Sequence, residues 1–244
     1  MPTNNAARQL PSGAPASQRG FTLLELSVVL VIIGLIIGAV AIGKDVQRSA
    51  VYQRISSDYV QGWAMAYDRY YDGTGHPPGD SASAPTGMVN GASNSPLCGL
   101  ALVNAMQAAG VEMPAGRAEG SANLYAYLDS NGNPQQLEVC FSNVSWSEPG
   151  ATSGSYTSYT RNVMWLQNVT PALANMIDNS FDSLVDARFG KFREVSQANN
   201  TSAGVVGVPW SKDERWAYSD ATAPSEAMDE SQVGLEFAYL KMSR

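Results

Sequence analysis

The chain has 244 residues and a net charge of −7, with 44% of the residues hydrophobic and 15% charged. That is room for a leader, one long helix and one globular domain, but not for a second full domain. The acidic balance argues against general binding of nucleic acid or anionic lipid through net charge, and with one histidine and two cysteines Ser-His or Cys-His catalysis has little to build from.

Residues 1–20, MPTNNAARQLPSGAPASQRG, are polar, contain proline and show no apolar period. They read as a leader that is removed, held on the cytoplasmic side by Arg8 and Arg19. From Phe21 to Gly43 the sequence is apolar, has no proline and carries one ionisable group, Glu25. As a helix it would be roughly 34 Å long against a hydrocarbon core of about 30 Å, so it can span a bilayer. A lone carboxylate there costs about 2.5–3.5 kcal/mol at mid-depth and less near an end, and so marks a pairing. Cleavage after Gly20 would create a partner, the α-amine of Phe21. A helix does not easily fold that amine back onto its own Glu25, whereas a neighbouring subunit shifted along the axis can supply one, and the pairing therefore implies assembly. A secretory signal peptide would have a shorter apolar core with its cut on the far side.

The stretch Gly20-Phe21-Thr22-Leu23-Leu24-Glu25-Leu26, followed by the apolar run, resembles the class III signal of type IV pilins and of the pseudopilins of type II secretion. The resemblance implies cleavage after Gly20 by prepilin peptidase, N-methylation of Phe21, and a role for Glu25 in setting subunit register. It also implies a single-pass inner-membrane precursor with a periplasmic head, later found in a surface pilus or a periplasmic pseudopilus. The implied partners are other pilins in a homo- or hetero-oligomeric filament, the peptidase and the assembly platform. Many members of the family carry a proline midway along the membrane half of the helix. Here Gly34, Gly38 and Gly43 stand in that region, each costing up to about 1 kcal/mol of helix stability, and local melting between Gly38 and Gly43 on assembly is expected. Gly34 and Gly38 also form G-x-x-x-G, which favours close helix packing.

Beyond Gly43 the pattern turns amphipathic. Val46, Ala50, Val51, Ile55, Tyr59, Trp63, Ala66, Tyr67 and Tyr70 recur at steps of three or four, which predicts that the helix continues to about Tyr71 with one face on a head. The turn formers of Tyr71–Asp80 end it, and His76 among them reads as a loop residue. Leu100–Gly110 predicts a short helix. Asn123–Leu128 and Gln136–Asn143 alternate around Asp129-Ser-Asn-Gly-Asn-Pro134, a hairpin signal. That turn starts like a calcium loop but lacks the required glycine and glutamate, so a plain turn is expected. Cys98 and Cys140 lie in the exported part, where a disulfide is the expected state; they lack the close Cys/His spacing of a zinc site.

Val163–Val169 predicts a strand, and Thr170-Pro171 an N-cap followed by proline at the first helical position. Asp178, Asp182 and Asp186 follow at steps of four, placing three carboxylates on one helical face, either solvated or bridged by a cation. This segment distantly resembles calcium-binding segments of some pilin-like proteins. No cofactor is required, and calcium is the candidate ion. Trp210 and Trp216 read as core or edge packing, or else as a ligand shelf, and Val233–Lys241 as a terminal strand.

The expected architecture is α+β and pilin-like, a long N-terminal helix packed on an antiparallel sheet. The expected division is a leader at 1–20, a membrane or filament-core half-helix at 21–43, an amphipathic half at 44–72 and a head at 73–244. The expected function is a filament subunit rather than an enzyme, a minor pilin for adhesion, motility or DNA uptake. A type II secretion pseudopilin is one alternative, and a membrane-anchored periplasmic enzyme or binding protein a second.

Overall fold

The computed structural model of the chain describes residues 20–117, 121–212 and 233–243. The first nineteen residues of the leader lie outside the described residues, as do Trp216 and the acidic stretch Tyr218–Glu230. The architecture is α+β and pilin-like, a long N-terminal helix with a five-stranded antiparallel sheet.

The chain divides into two compact units, Met1–Asp45 and Val46–Arg244. In the first, helix α1 (Leu23–Arg54) begins, and every side chain from Leu23 to Val40 is exposed. It is apolar all round, which suits lipid or a bundle of like helices. The span Leu23–Thr74 holds a stretch long and apolar enough to cross a membrane. Gly34, Gly38 and Gly43 lie in unbroken helix.

In the second unit the helix passes through one π-helical turn, Ile55–Val60, into α2, Gln61–Thr74. Tyr52, Ile55, Tyr59, Trp63, Ala66, Tyr67 and Tyr70 are buried, whereas Val46 and Ala50, expected on the same face, are exposed. The sheet sets this limit. Its nearest end is the turn after Leu128, which the helix reaches through the Tyr52 hydroxyl, donating to the Leu128 carbonyl at 3.1 Å, and through Arg48, donating to the Ser130 carbonyl at 3.2 Å. The helix stops where Gly75 turns left-handed (φ +79°) and returns its N–H to the Tyr71 carbonyl at 2.8 Å.

The strands are β1 (Leu124–Leu128), β2 (Pro134–Pro149), β3 (Tyr156–Val169), β4 (Phe192–Glu194) and β5 (Glu236–Lys241), in the order β1-β2-β3-β5-β4. Alternation sends Leu137, Val139, Phe141, Met164, Leu166, Ala238 and Leu240 into one core with the helix. Aromatic rings make the contact there. Tyr59 meets Tyr125 and Tyr67 meets Phe141, each pair with centroids 5.0 Å apart. Helix α3 (Gly99–Ala108) and helix α4 (Pro171–Asp182) add Leu102, Met106, Leu173 and Ile177.

β2 and β3 run well beyond the apolar segments that predict them, and β4 has no sequence signal. The extra lengths, Val144–Pro149 and Tyr156–Asn162, are rich in Ser, Thr and Asn and pair with each other residue by residue. Backbone pairing rather than an apolar pattern carries them. β4 has three residues, too few to show a period.

β3 gains one residue on β5 between Leu166 and Val169, a β-bulge, and Asn168 there takes φ +60°. The Tyr127 hydroxyl secures the bulge, donating to the Asn168 carbonyl at 2.9 Å and accepting the Thr170 N–H at 3.0 Å. Thr170 then precedes Pro171 as the first residue of α4, but its buried hydroxyl makes no capping bond.

Cys98, just before α3, is bonded to Cys140 of β2 across a sequence separation of 42. Closing a loop of that size is worth about 4 kcal/mol in the chain-entropy picture. Replacing both cysteines with serine is therefore expected to lower the unfolding free energy by about 3–4 kcal/mol, read from urea unfolding of the two proteins followed by tryptophan fluorescence.

Candidate functional site

The amino-terminal segment is built by its first helical turn. Thr22 stands at the N-cap of α1 and Glu25 three residues on. The Thr22 N–H and hydroxyl both donate to Glu25 Oε2, at 2.9 and 3.0 Å, and the Glu25 N–H donates to the Thr22 hydroxyl at 3.2 Å. This reciprocal arrangement is a capping box. It satisfies backbone groups that the helix itself leaves open, a need that grows in lipid. The Thr-x-x-Glu spacing is its signal in the sequence.

The Gly20–Phe21 peptide bond lies just outside this turn. Both residues precede the helix, Phe21 is 86% exposed, and nothing stands within 4 Å of the place where a Cβ on Gly20 would be. The bond is thus presented in non-helical chain, the form in which a peptidase can take it. Glu25 keeps its carboxylate at the same end, where an amine from another chain can reach it.

Residues 15–41 match the family model of the prokaryotic N-terminal methylation motif. The chain therefore carries a type IV prepilin-like signal, which implies processing by prepilin peptidase and assembly into pilus-type filaments. Such a signal points to a structural subunit, and with the apolar helix it is consistent with a membrane-anchored precursor. No curated protein and no solved structure matches the chain.

The other candidate residues lie in the second unit. Cys98, Cys140 and Glu138 bring their ligand atoms within 4.8 Å of one another, but the two sulfurs are bonded to each other and only one carboxylate is left to offer. His76 packs edge-on against Tyr70, with ring centroids 6.0 Å apart. Trp210 is not part of a surface shelf: it is buried, 5.4 Å from the Phe192 ring, and donates its indole N–H to Asp178.

The three aspartates do not share a helical face, because α4 ends at Asp182 and Ser183 turns left-handed. Asp182 accepts the N–H groups of Lys191 and Phe192 at 2.8 Å. A side chain on Gly190, at φ +93°, would strike that carboxylate. Asp186 accepts from Arg188 and Phe189 with one oxygen and from Gly207 and Val208 with the other. Asp178 is fully buried; its Oδ2 accepts the Asp186 N–H at 2.7 Å and the Trp210 indole at 3.2 Å, while its Oδ1 has no partner. The carboxylates fold the loop from 183 to 208 around themselves.

Burial, with smaller contributions from Asp182 and Asp186, pushes the Asp178 carboxyl up to about 7; burial and the neighbouring Glu194 do the same to Glu236. Between pH 4 and 7 the folded chain then holds protons that the unfolded chain has released. Stability from these groups is present at acidic pH and is lost as pH rises towards 7, by on the order of 3 kcal/mol for one such group. Asp178→Asn is expected to shrink the stability difference between pH 5 and pH 8 by about 1–3 kcal/mol, read from urea unfolding at the two pH values.

Proposed function

We propose that the chain is a minor subunit of a type IV pilus, cut after Gly20, N-methylated on Phe21 and packed into the filament through α1. The observation that carries this reading is the match at residues 15–41, joined to a capped, apolar helix whose scissile bond lies outside the first turn. Glu25, held by Thr22 in the single chain, exchanges that partner for the amine of a neighbouring Phe21 on assembly. A head of this size, with its disulfide between the α3 region and β2 rather than around a C-terminal loop, supports a minor rather than a major subunit. Its work is adhesion, motility or DNA uptake by the filament, and the precursor waits in the inner membrane with the head in the periplasm.

No enzymatic step enters this reading, and no cofactor is required. A calcium ion at Asp178, Asp182 and Asp186 is the alternative for the head, and it would have to displace backbone amides that these carboxylates already accept.

Intact mass spectrometry of protein from sheared surface filaments, and separately from membranes of the same cells, tests the reading. The expected species begins at N-methyl-Phe21, is two hydrogens lighter than the reduced chain and occurs in the sheared fraction. The same species in membranes alone would favour a type II secretion pseudopilin. An uncut chain would sink both and favour an anchored enzyme or binding protein.

A further inference from the structure

At the end of the sheet that meets the last turns of α2, a cleft of about 650 Å³ opens between the loop Thr86–Met88 and strands β2, β3 and β5. Its size is that of a small-molecule site, yet its walls among the described residues are mostly amide, hydroxyl and charged groups. Asn162, buried in one wall, fixes the loop to the sheet: its Oδ1 accepts the Val89 N–H at 3.1 Å and the Asn143 amide at 2.8 Å, and its Nδ2 donates to the Gly87 carbonyl at 2.9 Å. The cleft is therefore preformed. Asn143, 3% exposed, keeps an Oδ1 with no partner.

Three charges lie along the other side. Glu148 takes Arg161 with both oxygens, at 2.8 Å from Nε and 2.7 Å from Nη2, and Lys241 Nζ at 3.2 Å. Two cations thus converge on one carboxylate and present their outer N–H groups to the cleft. Two further carboxylates border the cleft and keep their charge: Asp80 accepts three backbone N–H groups and the Thr86 hydroxyl, and Asp68 the Ser243 hydroxyl. Lys241 Nζ makes one bond here among the described residues, so two of its protons are open to a ligand.

We propose that this cleft binds an acidic saccharide, its carboxylate on Lys241 and the outer edge of Arg161, its hydroxyls on Thr160 and the Asn143 amide. An apolar ligand would find only Met88 and Met242 to cover it. Among the described residues β3 is paired on both sides only from Val163 onward, so Tyr156–Arg161 is the strand edge that a peptide would use here, and tri-glutamate is the probe for that outcome. The site stands apart from the amino-terminal signal and does not depend on how the chain is assembled.

The test is isothermal titration of the full chain in detergent micelles with a galacturonate trisaccharide, alongside maltotriose and tri-glutamate. The expected result is saturable binding of the galacturonate, weakened by salt and weakened about ten-fold by Lys241→Gln. Thr160→Val, at an exposed position of β3, is expected to weaken it several-fold. Absence of saturable galacturonate binding, equal binding of maltotriose or tri-glutamate, or full affinity in both variants would overturn the proposal.

Discussion

The buried stripe from Tyr52 to Tyr70 holds the second unit together. One helical face must be filled over several turns by one sheet, and large aromatic side chains do most of the filling, with Tyr59, Trp63 and Tyr67 set against Tyr125 and Phe141. Everything else in the head is arranged to keep that sheet in place. The hairpin turn after Leu128 sets where the stripe begins, and Gly75 sets where it stops. The same helix lacks any polar face upstream, and the change from all-round to one-sided apolarity in its sequence marks where packing on the sheet begins.

Part of the acidity of the chain is internal, with six carboxylates buried among the described residues. Asp80, Asp129, Asp182 and Asp186 each accept two or more backbone N–H groups, and Glu194 and Glu236 take those of Ser211 and Lys212. A long head with few helices leaves many loop amides without a ladder partner, and buried backbone donors must be satisfied. Carboxylates do this compactly, at the cost of placing charge where water is scarce. For Asp178 that cost shows as a carboxyl that holds its proton to near neutral pH.

Much of the fold was legible because local rules and tertiary packing agree. The apolar run, the turn formers after Tyr71, the hairpin around Gly132 and the Thr170-Pro171 helix start each state their structure within a few residues. The processing motif was legible as a joint requirement on residue type from Gly20 to Glu25. Other features depend on partners distant in sequence. That Val46 is exposed and Tyr52 buried follows from where the sheet ends. That Asp186 leaves the helical face follows from Ser183 turning left-handed, while its own partners, Gly207 and Val208, lie more than twenty residues away. The outer halves of β2 and β3 carry little apolar signal beyond Val144 and Trp146, and the cleft beside Asn162 forms only once three strands and a loop have met.

The disulfide also governs an exposed margin of the sheet. β2 has sixteen residues, but β1 pairs with only its first five, which would leave a long row of unpaired backbone on that side. Leu97 bridges to Phe141, the Asn94 N–H reaches the Asn143 carbonyl, and the Ala198 carbonyl takes the Ser147 N–H. Cys98 anchors the first of these covers to the strand it shields. Bare strand margins recruit one another into non-native sheets, a hazard that grows when many copies are crowded on one membrane. Oxidation of this cysteine pair thus does more than close a loop: it pins a cover over the margin of β2 that β1 leaves bare.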